Sequence, residues 1–166
     1  LMLEGDGKRM LYLAMANFAD GNLSALGEMM KHPDVVPGLG DGGAHCATIC
    51  DGSYSTFLLK HWGRDRAEGR FPLPKIVHGL SRATALTVGL ADRGLIAAGM
   101  KADLNVIDFD ALTLHPPELA HDLPAGGHRL VQRAEGYAAT VVSGRTVYRH
   151  GVPTGELPGR LVRGTG

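Results

Sequence analysis

The stretch from Val35 to His45, "VVPGLGDGGAH", decides how the fold of this chain is interpreted. The apolar residues at 34–39 predict a short buried strand, and the glycine-rich residues after them predict the loop at its C-terminal end. Asp41 lies in that loop, where parallel barrels and sheets place their chemistry. We therefore take Asp41 as the best catalytic candidate. A turn aspartate that hydrogen-bonds its own backbone is an equal alternative from spacing alone.

His45 closes the loop, and a neutral imidazole suits a metal ligand, a proton carrier or a substrate contact. On the pattern alone, a hydrogen-bonded structural histidine is the favoured interpretation. The glycines around Asp41 complete neither common phosphate-binding pattern before a helix, so phosphate binding has weak support. The other seven histidines form no H-x-H or H-E-x-x-H pair, so no complete metal site can be predicted from the sequence.

Composition narrows the classes of partner. The chain has 166 residues, of which 44% are hydrophobic, enough for the packed core of one domain or a piece of one. Seventeen basic and seventeen acidic residues balance, which argues against nucleic acid and against a charged membrane surface. No apolar run is long enough to span a membrane and no signal segment opens the chain, so a cytoplasmic location is expected. The first residue is Leu1, which suggests a missing upstream part.

Helical patterns occupy the first half of the chain. A helix is predicted over residues 22–32, with Asn22 as its N-cap. A second helix is predicted in "SYSTFLLKHWGRD", with Ser53 or Ser55 as its cap, and the mixed charges at its end read as a solvated face. A third helical region is predicted from residue 73 to 90, with a break near its serine at position 81.

The second half alternates as β-strands do. Strands are predicted in "ADLNVIDF" and in "AATVVSGRTVYRHG", the latter folded as a hairpin at Ser143–Gly144. Residues 110–130 contain three prolines and predict a long irregular excursion, and the tail at 153–166 predicts another irregular segment. A lone strand with flanking helices followed by a small β region is an unusual order for a complete domain.

Six segments of the chain resemble a known family. The chain is similar to the C-terminal part of the amidohydrolase superfamily, closest to the N-acyl-D-amino-acid deacylases, or D-aminoacylase-like enzymes of amidohydrolase family 3. The similarity runs from about residue 22 to 164 in the right order. It rests on "GLGDGGAH", "CDGSYSTFLLKHWGRDR", "GLADRGLIAAGMKADLNVID", "DLPAGGHRL", "GYAATVVSGRTV" and "TGELPGRLVRG".

The resemblance implies an α/β fold. The chain would be the C-terminal fragment of a metal-dependent (β/α)8 TIM barrel, with its last strand and helices, plus part of a small β-sandwich. Residues 1–98 would be the barrel part, and residues 99–166 the C-terminal share of the sandwich with an irregular tail. "VVPGL" would then resemble the eighth barrel strand.

The resemblance also implies a reaction, the hydrolysis of the amide bond of N-acyl-D-amino acids, which are small-molecule substrates. Asp41 falls on the family's strand-eight aspartate, a general base toward a metal-bound water and a ligand of that metal. Gly42, Gly43 and His45 are expected to contact substrate. One or two divalent ions, usually zinc, are expected in the complete enzyme. Such an ion lowers the pKa of a bound water and polarises the amide carbonyl.

The chain departs from the family in what it omits. The family's H-x-H on the first strand, its bridging ligand and its later histidines have no counterpart here, and a (β/α)8 barrel takes roughly 250 residues. The chain alone is therefore expected to be inactive and to associate with the missing N-terminal barrel or with itself. Two alternatives stay open: a non-catalytic oligomerising module, and a cyclic-amide hydrolase of the dihydroorotase or hydantoinase type.

Overall fold

The structure is a computed structural model, and it describes residues 10–11, 16–18, 20–39 and 45–163. The chain divides into two compact units, Leu1–Val35 and Val36–Gly166. The division into a barrel part and a sandwich part at residue 98 stays a prediction. Among the helices of the described residues, none has both the length and the apolar character that crossing a membrane requires.

The described part of the first unit contains one helix, α1 (Ser24–Met29). The side-chain oxygen of Asn22 accepts a hydrogen bond from the Ser24 backbone N–H at 2.8 Å. The N-cap position is nevertheless Leu23, which makes no side-chain cap, so the N-cap predicted at Asn22 is wrong by one residue. The helix ends sooner than predicted because the next backbone N–H groups, those of Lys31 and His32, bond to carbonyls three residues back and tighten the last turn.

The strand predicted at residues 34–39 is wrong, because Val35–Leu39 contains no strand in the structure. A strand is stable only when its backbone groups pair with neighbouring strands. Pro37 has no N–H to offer such a ladder. The apolar residues of this run match the composition of a buried strand. None of the described residues pairs with them as a neighbouring strand, so composition alone did not produce one.

The second predicted helix is confirmed, but its winding changes along its length. It begins as a 3₁₀ turn at Asp51–Ser53, continues as α2 (Tyr54–Phe57) and finishes as a π-helical segment, Leu58–Asp65. The π winding is visible at its end, where the Arg66 N–H donates to the carbonyl of His61, five residues back. The cap prediction is wrong, because neither Ser53 nor any other residue there makes a side-chain cap.

The third helical region is also confirmed. It consists of α3 (Leu73–His78), a π-helical segment (Gly79–Ala83) and α4 (Thr84–Thr87). The break predicted near Ser81 is a change of winding rather than an interruption. The Ser81 hydroxyl donates to the Val77 carbonyl and so competes with the backbone for the α-helical acceptor.

The β region forms small antiparallel sheets. The described residues of this region contain β1 (Leu104–Ile107), β2 (Thr113–Leu114), β3 (Glu118–Ala120), β4 (Arg129–Val131), β5 (Ala134–Glu135), β6 (Tyr137–Val142), β7 (Arg145–Arg149) and β8 (Val152–Pro153). One sheet has four strands in the order β1-β6-β7-β8, and two further sheets pair β2 with β5 and β3 with β4.

The predicted hairpin at Ser143–Gly144 is confirmed as the turn between β6 and β7. Both residues have positive φ, 51° and 77°, as a two-residue turn that follows the strand twist requires. A second constraint lies at Gly136, where φ is 97° and a Cβ would come within 2.7 Å of the Leu112 Cα. Only glycine allows this close approach of the two backbones.

The irregular excursion predicted at 110–130 is wrong in part. The structure folds this segment into a nested hairpin: Thr113 faces Glu135 in the outer pair of strands, and Ala120 faces Arg129 in the inner pair. The strands are only two or three residues long, too short for the alternation to be recognised between prolines. Beyond β8, the described residues 154–163 contain no helix or strand, as predicted.

The core of the second unit lies between the helices and the β region. Arg64 connects the two at the end of the second helix. Among the described residues, the buried apolar side chains are Leu58, Leu59, Trp62, Phe71, Ile76, Ala85 and Leu112.

Candidate active site

The central residues of the predicted site, Asp41, Gly42 and Gly43, lie outside the described residues. Their catalytic, substrate-binding and metal-binding roles stay predictions. His45 is the first described residue after them. It is exposed and has a φ of 45°, which lies in the left-handed region.

The backbone after His45 is held in a tight turn. The His45 carbonyl accepts hydrogen bonds from the backbone N–H groups of Thr48, at 2.7 Å, and Ile49, at 3.0 Å. It also accepts one from the Thr48 hydroxyl at 3.0 Å. Because three donors converge on one carbonyl, the residue that follows the predicted catalytic loop has a defined backbone position, and its imidazole lies at the surface.

The exit of the loop is also fixed to the β region. The Leu130 N–H in β4 donates to the Cys46 carbonyl at 2.7 Å. Beside this contact lies an open cleft of about 330 Å³, bounded by residues 46–53 on one side and by β4 with Gln132 on the other. The loop that contains Asp41 therefore ends at the rim of a cleft large enough for a small molecule.

A series of hydrogen bonds between side chains and backbone connects the two sides of this cleft. The Ser53 hydroxyl, predicted as a helix cap, instead donates to the side-chain oxygen of Gln132. The Gln132 amide donates in turn to the His115 carbonyl at 2.9 Å. Deeper in, the buried Thr56 hydroxyl bonds the Tyr137 hydroxyl at 2.7 Å. The start of the second helix is thus tied to the β region through side chains 79 to 81 residues away in sequence.

Arg64 makes the largest set of polar contacts between the helices and the β region. Its guanidinium donates to three backbone carbonyls, those of Phe109 at 2.6 Å, Asp110 at 2.9 Å and Leu112 at 2.8 Å. Its Nε donates to the Asp65 carboxylate at 2.7 Å. The prediction of a merely solvated charge cluster at this helix end is therefore wrong, since the planar guanidinium donates to three backbone carbonyls around the turn before β2.

Asp65 receives two cations. The hydrogen bond from Arg64 and that from Lys60 lower the pKa of the Asp65 carboxyl to about 2. The charged carboxylate is thus the form that fits the fold, and it keeps the Arg64 side chain oriented toward the three carbonyls.

This depressed pKa predicts an acid-dependent loss of stability. Because the folded pKa lies below the unfolded value, the stabilisation by Asp65 is complete above about pH 4 and is lost as the pH falls toward 2. The difference in urea midpoint between the wild type and Asp65→Asn should shrink over that window. Asp110→Asn is the control, because this substitution leaves in place the backbone carbonyl that Arg64 contacts, and its urea midpoint at neutral pH should stay close to that of the wild type. An unchanged Asp65→Asn difference at pH 2.5 would contradict the assignment.

The described residues do not by themselves hold a metal ion. Across residues 10–11, 16–18, 20–39 and 45–163, no three His, Cys, Asp or Glu side chains group closely enough to bind one. The cysteines are free: Cys46 is exposed and Cys50 is half-buried, where burial raises the pKa of its thiol.

Sequence reasoning missed Arg64, Gln132 and Tyr137 as the side chains that support the site. Their partners lie 45 to 81 residues away along the chain, so no local sequence pattern predicts these contacts. The one signal available was residue type: Gln132 directly follows β4 and Tyr137 begins β6, and both side chains can form hydrogen bonds.

Comparison with known proteins identifies the family of the chain, which the geometry of the described residues does not. A model of the amidohydrolase family matches residues 10–148 of this chain. A D-aminoacylase of Alcaligenes xylosoxydans xylosoxydans is 33% identical over 147 residues, which cover 82% of this chain and 28% of that protein. The search of solved structures found no significant match. The range matched by the family model includes the loop of Asp41, the helices after it and most of the β hairpin.

Proposed function

Because the chain belongs to the amidohydrolase family, we propose that it is part of a hydrolase that cleaves the amide bond of N-acyl-D-amino acids. The observation that carries this proposal is the 33% identity to a D-aminoacylase over 82% of the chain. The open cleft beside the end of the Asp41 loop supports it, since a small substrate could lie there against Gln132 and the start of the second helix.

In this proposal Asp41 is the general base. Its carboxylate accepts a proton from the attacking water as the oxygen adds to the amide carbonyl carbon. The same group then returns the proton to the departing nitrogen, so that the C–N bond breaks to give a carboxylic acid and a free amine. Gly42 and Gly43 carry no side chain and leave space for the substrate beside the carboxylate. We propose that His45, which follows the loop and is exposed, contacts the substrate.

Enzymes of this family generally use divalent metal ions. The described residues do not fit such an ion by themselves, as shown above. We propose zinc as the metal and Asp41 as one of its ligands, with the other ligands supplied by a part of the enzyme that is not among the described residues.

We also propose that the 166 residues need further chain to be active. The chain spans 28% of the length of the D-aminoacylase that it matches, and a (β/α)8 barrel requires roughly 250 residues. The helices at residues 51–87 would then belong to the end of that barrel, and β1 with the β6–β7 hairpin to the sandwich.

A substrate panel separates this proposal from its alternatives. Amine or acid release would be measured with zinc for the chain and for an upstream-extended version, using an N-acetyl-D-amino acid, a hydantoin and dihydroorotate. We expect hydrolysis only by the extended version, with the linear amide preferred by at least about a hundredfold. Faster hydrolysis of a cyclic amide would favour the cyclic-amide alternative. No hydrolysis by a folded, zinc-loaded extended version would favour the non-catalytic module.

A further inference from the structure

The tip of the inner hairpin brings two histidines together. His121 follows β3 and His128 precedes β4, so the two residues face each other one step beyond the last strand pair, Ala120 with Arg129. Their ring centroids are 5.5 Å apart and the ring planes are tilted by 49°. Both residues are exposed. The proposed hydrolase function uses neither of them.

The separation fits one metal ion held between the two rings. A zinc–nitrogen bond is about 2.0–2.1 Å and the ring nitrogen lies about 1.1 Å from the ring centre, so two imidazoles on one tetrahedral ion have centres roughly 5.2 Å apart. The observed 5.5 Å is close to this value. Parallel stacked rings could not both direct a nitrogen lone pair at a common point between them, whereas tilted rings can.

The backbone around the two histidines is braced on both sides. On the strand side, Arg129 donates two hydrogen bonds to the Asp122 carboxylate, at 2.8 and 2.7 Å. On the tip side, the Leu123 N–H donates to the Gly127 carbonyl at 3.3 Å, and the Gly127 N–H donates to the Pro124 carbonyl at 3.2 Å. Less conformational freedom is therefore lost when a ligand joins the two arms.

The charges at the tip also permit a cation. Asp122 and Arg129 neutralise each other in a two-bond ion pair, so neither leaves an uncompensated charge beside the rings. Asp122 is occupied by this pair, so the remaining positions on a bound ion would be filled by water. An imidazole pair with water ligands suits Zn²⁺, Ni²⁺ and Cu²⁺ better than Mg²⁺ or Ca²⁺, which prefer oxygen ligands.

We propose that His121 and His128 form a two-imidazole chelate for a divalent transition-metal ion at the tip of this hairpin. The site lies in the β region, and its ligands do not include Asp41. It does not depend on the hydrolase proposal, because it needs only residues that this chain contains and the structure describes.

The test is a Zn²⁺ titration of the 166-residue chain, followed by NMR of the histidine rings. We expect the His121 and His128 signals to shift together at one equivalent. His121→Ala and His128→Ala should each weaken zinc binding by about a hundredfold, the lower range of what joining two ligands contributes. The double variant should be no weaker than either single variant, because one ring alone cannot chelate.

His78→Ala is the matched control, because His78 is an exposed histidine on α3, and its affinity should be unchanged. Both hairpin residues are exposed, so the variants are expected to keep the wild-type far-UV circular dichroism. Zinc affinity that survives either hairpin substitution, or ring shifts spread equally over all the exposed histidines at millimolar zinc, would overturn the proposal.

Discussion

Replacing Asp41 with asparagine is expected to lower kcat/KM for N-acyl-D-amino acid hydrolysis by roughly 10² to 10⁴ in the upstream-extended protein. Asparagine has nearly the same size and can still hydrogen-bond, but it cannot accept the proton of the attacking water. The loss should fall mainly on kcat, since the proton transfer takes place in the transition state and not in substrate binding. Initial rates of amine release at saturating and at low substrate concentration separate the two constants.

Asp110→Asn is the control for this substitution. Asp110 is an exposed aspartate in the turn before β2 and is not among the residues that line the cleft. Its replacement removes one negative charge without removing the proposed base, so kcat/KM should change by no more than about twofold to threefold. Equal losses in the two variants would mean that general charge, and not proton transfer at Asp41, governs the rate.

Replacing Trp62 with alanine is expected to lower the free energy of unfolding by about 3–5 kcal/mol. The Trp62 side chain is 1% exposed, the largest fully buried side chain among the described residues. Its ring packs on Phe71 with centroids 5.6 Å apart, and the Arg66 guanidinium lies 4.2 Å above it. Removal of the indole leaves a cavity between the second helix and the segment that leads to α3. Urea or guanidinium unfolding measures the change.

A second substitution at the same position makes this prediction sharper. The Trp62 indole N–H is buried and has no hydrogen-bond partner among the described residues. Trp62→Phe removes that unsatisfied donor, which offsets part of the lost packing, so it should cost clearly less than Trp62→Ala. Val77→Ala on α3, where Val77 is 46% exposed, should cost under about 1 kcal/mol. Equal costs at all three would contradict the central place of Trp62 in the core.

The elements that could be predicted from the sequence are those whose cause is local. Asn22 predicts the start of α1, because a short polar side chain can accept a hydrogen bond from the first free N–H of a helix. Ser143–Gly144 predicts the β6–β7 hairpin, because a two-residue turn needs positive φ at both positions and both residues adopt it. The helices after residue 50 follow from apolar spacing alone, although spacing does not distinguish α from π winding.

The elements that could not be predicted depend on distant partners. The nested hairpin at 113–135 is closed by pairs up to 22 residues apart, and each strand is too short to show a period. Arg64 looked solvated because the three carbonyls it binds lie 45 to 48 residues away. The apolar run at 35–39 predicted a strand, but local composition does not supply the neighbouring strand that pairing requires.

The candidate site illustrates the same division. Spacing and glycine content alone support a catalytic role and a turn role for Asp41 equally well. The order of six segments, matched to a family, is what favours the catalytic role. A family model that covers residues 10–148 shows the family, and the role of Asp41 stays a prediction. His45 could be placed at the end of the loop, but its role toward substrate stays a prediction.

The most direct test uses racemic N-acetylmethionine and the zinc-loaded, upstream-extended protein, with the two free methionine enantiomers quantified by chiral chromatography. If this chain is part of a D-aminoacylase-like hydrolase, D-methionine should be released until the D half of the racemate is consumed, while the L form stays acylated. The Asp41→Asn protein should release D-methionine at least about a hundredfold more slowly. Release of L-methionine at the same rate, or release of neither enantiomer by a folded and zinc-loaded protein, would contradict the proposed function.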